Sequence, residues 1–277
     1  MMQQLKFLQS LWAMERREPD GFERTLDENL HMIADGSFDG VSAFVGNKEQ
    51  TKALQVALSG TGLFVEACGA PATDDDLKRQ IDLAGELGAL HFNAQPDIRL
   101  RRLGDGIDLI RRWIRISEDA ALPVYFETHR NRLTTDLFYT LDLLEAAPNL
   151  PLLADLSHFL VGREFAWPVS DENHRLIERI LDSSWAFHGR VASREQVQIE
   201  ISFPHHKMWV DLFVRWWRYG FASWRRRSKS DAILCFTCEL GPRPYAITTQ
   251  TANDSTDRWA EALLMRDLVS DIWTEPT

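Results

Sequence analysis

Four ionisable residues each end a short apolar run. Pro123-Val124-Tyr125-Phe126 leads into Glu127 and Leu152-Leu153-Ala154 into Asp155. Trp185-Ala186-Phe187 leads into His188, and the run from Ile233 to Cys238 into Glu239. One carboxylate after an apolar run is usually an ion-pair partner or a surface residue. Four in matching positions ask for a common cause, because convergent buried carboxylates repel one another and need a cation. Three carboxylates and one imidazole suit a divalent metal. The imidazole favours Mn2+, with Co2+, Fe2+, Mg2+ and Zn2+ also compatible; thiolates take no part.

The elements that would bring these residues together can be read from the alternation of apolar runs and amphipathic stretches. Strand candidates are Leu5–Leu11, Asp39–Val45, Gly62–Cys68, Ala89–Ala94, Leu122–Glu127, Leu150–Asp155, Ser184–Gly189 and Ala232–Glu239. They are short and mostly rich in Val, Phe or Leu, as strands buried on both faces should be. Helical stripes fill the gaps: Phe22, Leu26, Leu30 and Ile33; Leu77, Ile81, Ala84 and Leu87; Ile107, Ile110 and Ile114; Leu137, Leu141 and Leu144; Leu264, Leu268 and Ile272. Thr73, Thr134 and Asp171 are placed to cap the helices that follow them. Strand–helix alternation implies a parallel sheet under helices. Eight units of about 35 residues each predict a single (β/α)8 TIM barrel over 1–277, in which the C-terminal strand ends line the active site. No Gly-rich fingerprint follows the first strand, which argues against a dinucleotide-binding open sheet.

This arrangement resembles the xylose isomerase-like barrel superfamily of sugar isomerases and ketose 3-epimerases. The similarity spans the whole chain. It rests on a Glu ending strand five (Glu127), an Asp-x-x-His after strand six (Asp155 and His158), a His ending strand seven (His188) and a Glu ending strand eight (Glu239). Arg194, six residues after His188, matches an Arg of the epimerase branch. The resemblance implies that Glu127, Asp155, His188 and Glu239 hold the metal. It also implies that Glu127 and Glu239 move protons through an enediolate, with His158 and Arg194 holding substrate oxygens. His158 as a neighbour of Asp155 and Arg194 as a loop residue remain open alternatives. Gln95, at the end of strand four, is a further substrate-binding candidate. Trp12 and Glu15 could form a pocket wall, and the direction of Glu66 in strand three cannot be read from sequence. The implied function is a metal-dependent isomerase or epimerase of a sugar-like polyol. A lyase or dehydratase on the same scaffold is the alternative, ahead of an endonuclease or a non-catalytic binding barrel.

Composition narrows the partners. The chain has 277 residues, 44% of them hydrophobic, enough for a large core. Its net charge of −10 argues against nucleic acid, whose binding rests on Lys and Arg. No apolar run is long enough to predict a membrane span, and the segment from Met1 to Trp12 reads as a first strand, not a leader. Three cysteines suit a reducing, cytoplasmic setting, and Cys235-x-x-Cys238 reads as two small core residues on a strand. A small-molecule substrate is the expected partner, and assembly with further copies is compatible. The interval between His188 and Glu239 is extended. It contains Ile201–His206 and an aromatic, basic run with Trp209, Trp216, Trp217, Trp224 and Arg225–Arg227. That run is expected to be a long seventh helix with its aromatic face covered; a subunit contact, an active-site cover or a nucleic-acid patch are the other options.

Overall fold

The computed structural model describes residues 2–275. Eight strands close into one parallel barrel in chain order, with β8 returning to pair with β1. They are β1 (Gln4–Ser10), β2 (Gly40–Phe44), β3 (Phe64–Gly69), β4 (His91–Ala94), β5 (Val124–Glu127), β6 (Leu152–Ala154), β7 (Ser184–Gly189) and β8 (Ile233–Cys238). Around them lie α1 (Leu26–Asp35), α2 (Lys48–Leu58), α3 (Asp74–Leu87), α4 (Leu103–Glu118), α5 (Leu137–Ala146), α6 (Ser157–Gly162), α7 (Asp171–Leu181), α8 (Lys207–Arg227) and α9 (Arg258–Thr274).

The two-residue period of each strand sorts its side chains between the barrel interior and the helical shell. Val41, Val65, Phe92, Phe126, Phe187 and Phe236 point outward and join the large core under the helices. Leu8, Leu153, Ala186 and Cys235, with Tyr125 against them, fill an inner layer. Two residues further along the same faces stand Glu127, Asp155 and His188, so an apolar floor gives way to a polar site at the C-terminal strand ends. Cys235 and Cys238 point to opposite faces of β8: the first lies in the inner layer, and the second contacts the Ala262 carbonyl on α9.

Local signals position most helices. Thr73 caps α3 by accepting from the Asp76 backbone N–H, as its sequence position implies. Two other expected caps are corrected. Asp136, not Thr134, caps α5; the Thr134 hydroxyl donates instead to the Glu127 carbonyl at 2.5 Å and braces the strand end. Ser170 caps α7, and Asp171 is its first helical residue, where an acidic side chain favours the helix dipole. Phe22 lies before α1 and is exposed rather than part of its buried stripe. The short α6, directly after Asp155, is an element that the apolar periodicity does not disclose.

The interval after β7 runs through a long loop into the 21-residue α8. All four of its tryptophans are buried against the rest of the barrel. Trp217 meets Phe236 edge-on at 5.2 Å, Phe221 meets Phe187 at 5.2 Å, and the Trp216 indole donates to His174 on α7. Gly220 permits this approach, since a Cβ there would lie 2.7 Å from the Phe187 ring. Arg225 stacks on Trp273 and Arg227 on Trp185, so two of the three arginines finish the packing of the helix end. Trp217→Ala should therefore lower unfolding free energy by about 3–5 kcal/mol in a urea titration. Alanine at the exposed Arg226 should change it by less than about 0.5 kcal/mol.

Candidate metal centre and acid–base site

His188, ending β7, is the hub of the polar layer. Its Nδ1 lies 2.9 Å from Glu239 Oε2 and 3.8 Å from Glu127 Oε2, while its Nε2 lies 2.8 Å from Glu66 Oε1. Ligand atoms of Glu127, His188 and Glu239 all fall within 4.8 Å of one another. Glu127 Oε2 accepts from Asn93 Nδ2 at 2.5 Å and Gln95 Nε2 at 2.9 Å, which pins the carboxylate. Its Oε1 is buried and has no hydrogen-bond partner among the described residues.

Asp155 stands beside this trio rather than within it. Its Oδ1 accepts from the Ser157 backbone N–H and hydroxyl, and its buried Oδ2 is unpartnered, 3.4 Å from His158 Nε2 and 3.9 Å from Arg190 Nη2. His158 is fully buried, and neither of its ring nitrogens has a hydrogen-bond partner among the described residues. The His129 ring lies 4.1 Å from it, and His129, His158 and Glu127 form a second group of converging donor atoms.

Arg190 is the cation that sequence reasoning missed. It is buried, its Nη2 lies 2.8 Å from Glu239 Oε2, and its Nε donates to the Glu239 carbonyl. Its guanidinium faces the rings of Tyr245 at 5.0 Å and Trp12 at 5.7 Å. Arg194, at the offset that the family resemblance favours, has a side chain 43% exposed and lies near Glu164 and Glu195 instead. The alternation of β7 carried the signal: residues 186, 188 and 190 share one face. The same rule on β4 puts Asn93 inward beside Glu127, two positions after His91.

Burial and charge divide the carboxylates. Burial pushes Glu127 up to about 7, reinforced by Glu239 and Asp155 and opposed by His188. Burial also acts against ionisation of Glu239, but Arg190 and His188 outweigh it and hold this group down to about 2. Burial raises Asp155 despite the attraction of Arg190. Burial disfavours the His188 imidazolium, yet Glu66, Glu239 and Glu127 raise its pKa well above the ordinary value. Burial lowers both His158 and His129, leaving them neutral.

Four buried carboxylates (Glu66, Glu127, Asp155 and Glu239) thus face two buried cationic groups, Arg190 and His188. Ionisation of Glu127 and Asp155, both held toward the neutral form by burial, would leave two negative charges over, and Glu127 Oε1 and Asp155 Oδ2 lack donors among the described residues. The donor set and its surplus charge fit a divalent cation.

No family model matches the chain, and a search of curated proteins finds no relative. Solved structures do match. A xylose isomerase-like TIM barrel protein from Mycobacterium smegmatis, in complex with magnesium, superposes with a TM-score of 0.64 at 13% identity over 97% of both chains. The fold shared with it is the closed parallel (β/α)8 barrel. A sugar phosphate isomerase/epimerase from Parabacteroides distasonis gives a TM-score of 0.62 at 9% identity, covering 98% of this chain and 94% of its own. A probable 3-DHS dehydratase from Bacillus anthracis gives 0.52 at 12% identity, covering 98% of this chain and 100% of its own. At such identities the likeness establishes the barrel and leaves the reaction to the site. No helix among the described residues is long and apolar enough to cross a membrane.

The raised pKa of Glu127 has a measurable sign. Between its ordinary value of 4.5 and about 7 the folded chain holds a proton that the unfolded chain has released, so this group's contribution to stability falls as pH rises through that window. Glu127→Gln removes the titration. In chelator, the variant should gain about 2–3 kcal/mol on the wild type between pH 4.5 and pH 8, measured by urea unfolding at each pH. An unchanged difference would mean that the carboxylate is ionised in the fold throughout.

Proposed function

We propose that this chain is a divalent-metal-dependent isomerase or epimerase that removes and returns a proton beside the carbonyl of a sugar-like polyol. The observation that carries this proposal is the state of Glu127: one oxygen pinned by Asn93 and Gln95, the other buried without a donor, and a pKa near 7. A general base works best when its pKa lies close to the working pH.

Glu127, Asp155, His188 and Glu239 would hold the cation, with Mn2+ the first candidate. The cation would supply polarisation of a carbonyl and its neighbouring hydroxyl, which acidifies the adjoining C–H. Glu127 Oε1 then takes the proton, and the two amides on Oε2 keep the carboxylate from swinging away. Glu239 reaches the site from a strand three further round the barrel and would return a proton on the other face, one that it must first take up from solvent because Arg190 and His188 hold it ionised. Its contacts with Arg190 and His188 make it the weaker base, so Glu127 acts first. His158 and Arg190, buried with unpartnered nitrogens, would hold substrate oxygens as charge builds on the enediolate. Arg190 is better placed for this than Arg194, whose side chain is partly in solvent.

The test is a screen of ketoses, inososes and 3-keto glycosides with Mn2+ in heavy water, read by mass spectrometry. The expected product has the substrate's composition with solvent deuterium at one carbon. Glu127→Gln should reduce that exchange by about 10²–10⁴-fold at equal metal content. Full exchange in a metal-loaded Glu127→Gln variant would remove the residue from the mechanism. A product lighter by water or by an aglycone would instead assign the lyase reaction, which shares the abstraction and then expels a leaving group.

A further inference from the structure

Glu66 is a buried carboxylate that the proposed chemistry leaves without a task. It sits on β3 with its side chain inside the barrel, one layer below the site, and is completely inaccessible. Both oxygens are occupied. Oε1 lies 2.8 Å from His188 Nε2 and accepts from the Thr237 hydroxyl at 3.3 Å; the Cys68 thiol is 3.5 Å away. Oε2 lies 2.7 Å from His91 Nε2. His91 is itself fixed, its ring 4.9 Å from that of Tyr125 in the inner layer. So Glu66 does not present a free lone pair to a cation, although it lies within ligand distance of Cys68 and His188.

What it touches gives its role. A neutral imidazole has one N–H and one lone pair, and the partner that holds the N–H decides which nitrogen keeps the lone pair. His188 has its Nε2 on Glu66 and its Nδ1 toward Glu239 and Glu127. A carboxylate behind a metal-ligating histidine fixes both tautomer and ring orientation. We infer that Glu66, braced by His91, is the positioning residue that keeps a proton on His188 Nε2, so that the proton given up when a cation binds is the one on Nδ1 and the lone pair it leaves faces Glu127 and Glu239. The inference rests on the proposed metal site and adds what holds that site in register from beneath. The links run His91–Glu66–His188–Glu239–Arg190, from the barrel interior to the mouth, each between 2.7 and 2.9 Å. Rotation of the imidazole would break the contacts on both of its sides at once.

The full chain titrated with Co2+ provides the test, using calorimetry and proton NMR in light and heavy water. The wild type should bind Co2+ and show a strongly shifted, exchangeable imidazole N–H signal, slow to exchange because Glu66 holds that proton. Glu66→Ala should weaken Co2+ binding about 10–100-fold and lose the signal. Glu66→Gln keeps an acceptor and should restore part of the affinity and the signal, a rescue that a space-filling role alone would not predict. If Glu66→Ala does not fold, Glu66→Gln and His91→Gln carry the test, each expected to hasten exchange of the N–H and weaken binding several-fold. Wild-type affinity and an unchanged signal in the folded variants would overturn the role of Glu66 while leaving the metal site intact. No Co2+ uptake by the wild type would remove the metal site, and this inference with it.

Discussion

Two carboxylates on opposite sides of one imidazole set the terms for the rest of the site. His188 lies between Glu66 below and Glu239 above, in an interior where an uncompensated charge is costly. Arg190 joins the same network through Glu239. Glu127 is left outside this compensation, with amide donors but no guanidinium or imidazole within bonding distance. Two glutamates of the same type therefore behave differently. Pairing makes Glu239 a firm anion, while burial without a paired charge makes Glu127 an ambivalent acid. The barrel achieves this by feeding one or two polar residues from most strands into a single layer.

Much of the architecture was legible in the sequence. All eight strands lie within two residues of the positions that the apolar runs mark. Buried parallel strands are short, apolar and nearly uninterrupted, and a first ionisable residue at the end of such a run is a strong marker of the barrel mouth. For that reason Glu127, Asp155, His188 and Glu239 could be named together. Side-chain direction within a strand was harder to read. Glu66 and Asn93 lie inside strands, and their orientation depends on register against neighbours that sequence does not show. Applying the two-residue period from His188 would have found Arg190, whereas a fixed offset taken from relatives led to Arg194. Thr73 was a correct cap, and the other two failed for a local reason: Asp136 and Ser170 competed with nearby Thr134 and Asp171, and one or two residues of chain geometry decided between them.

The aromatic run on α8 shows how composition can mislead about purpose. Tryptophans beside arginines are also the vocabulary of nucleic-acid and membrane surfaces. Here Trp216, Trp217 and Phe221 fill the space between α7, α9 and the outward-facing phenylalanines of β7 and β8. Phe187 directly precedes His188 and Phe236 lies three residues before Glu239, so the helix buttresses the two strands that lead to two of the proposed ligands.

The mouth is closed by planar groups laid against each other. Tyr245, from the segment after β8, lies between Arg130 and Arg190, with Trp12 from the segment after β1 set edge-on against it. The two segments come from opposite ends of the sequence and meet above the carboxylates. Stacked cations and rings have weak directional preferences, each contact contributing about 0.5–2 kcal/mol. Hydrogen bonds from Arg243 to the Arg16 and Glu18 carbonyls, and from Arg258 to the Ala13 and Glu15 carbonyls, tie the same part of the chain together, so this cover is fastened from both sides.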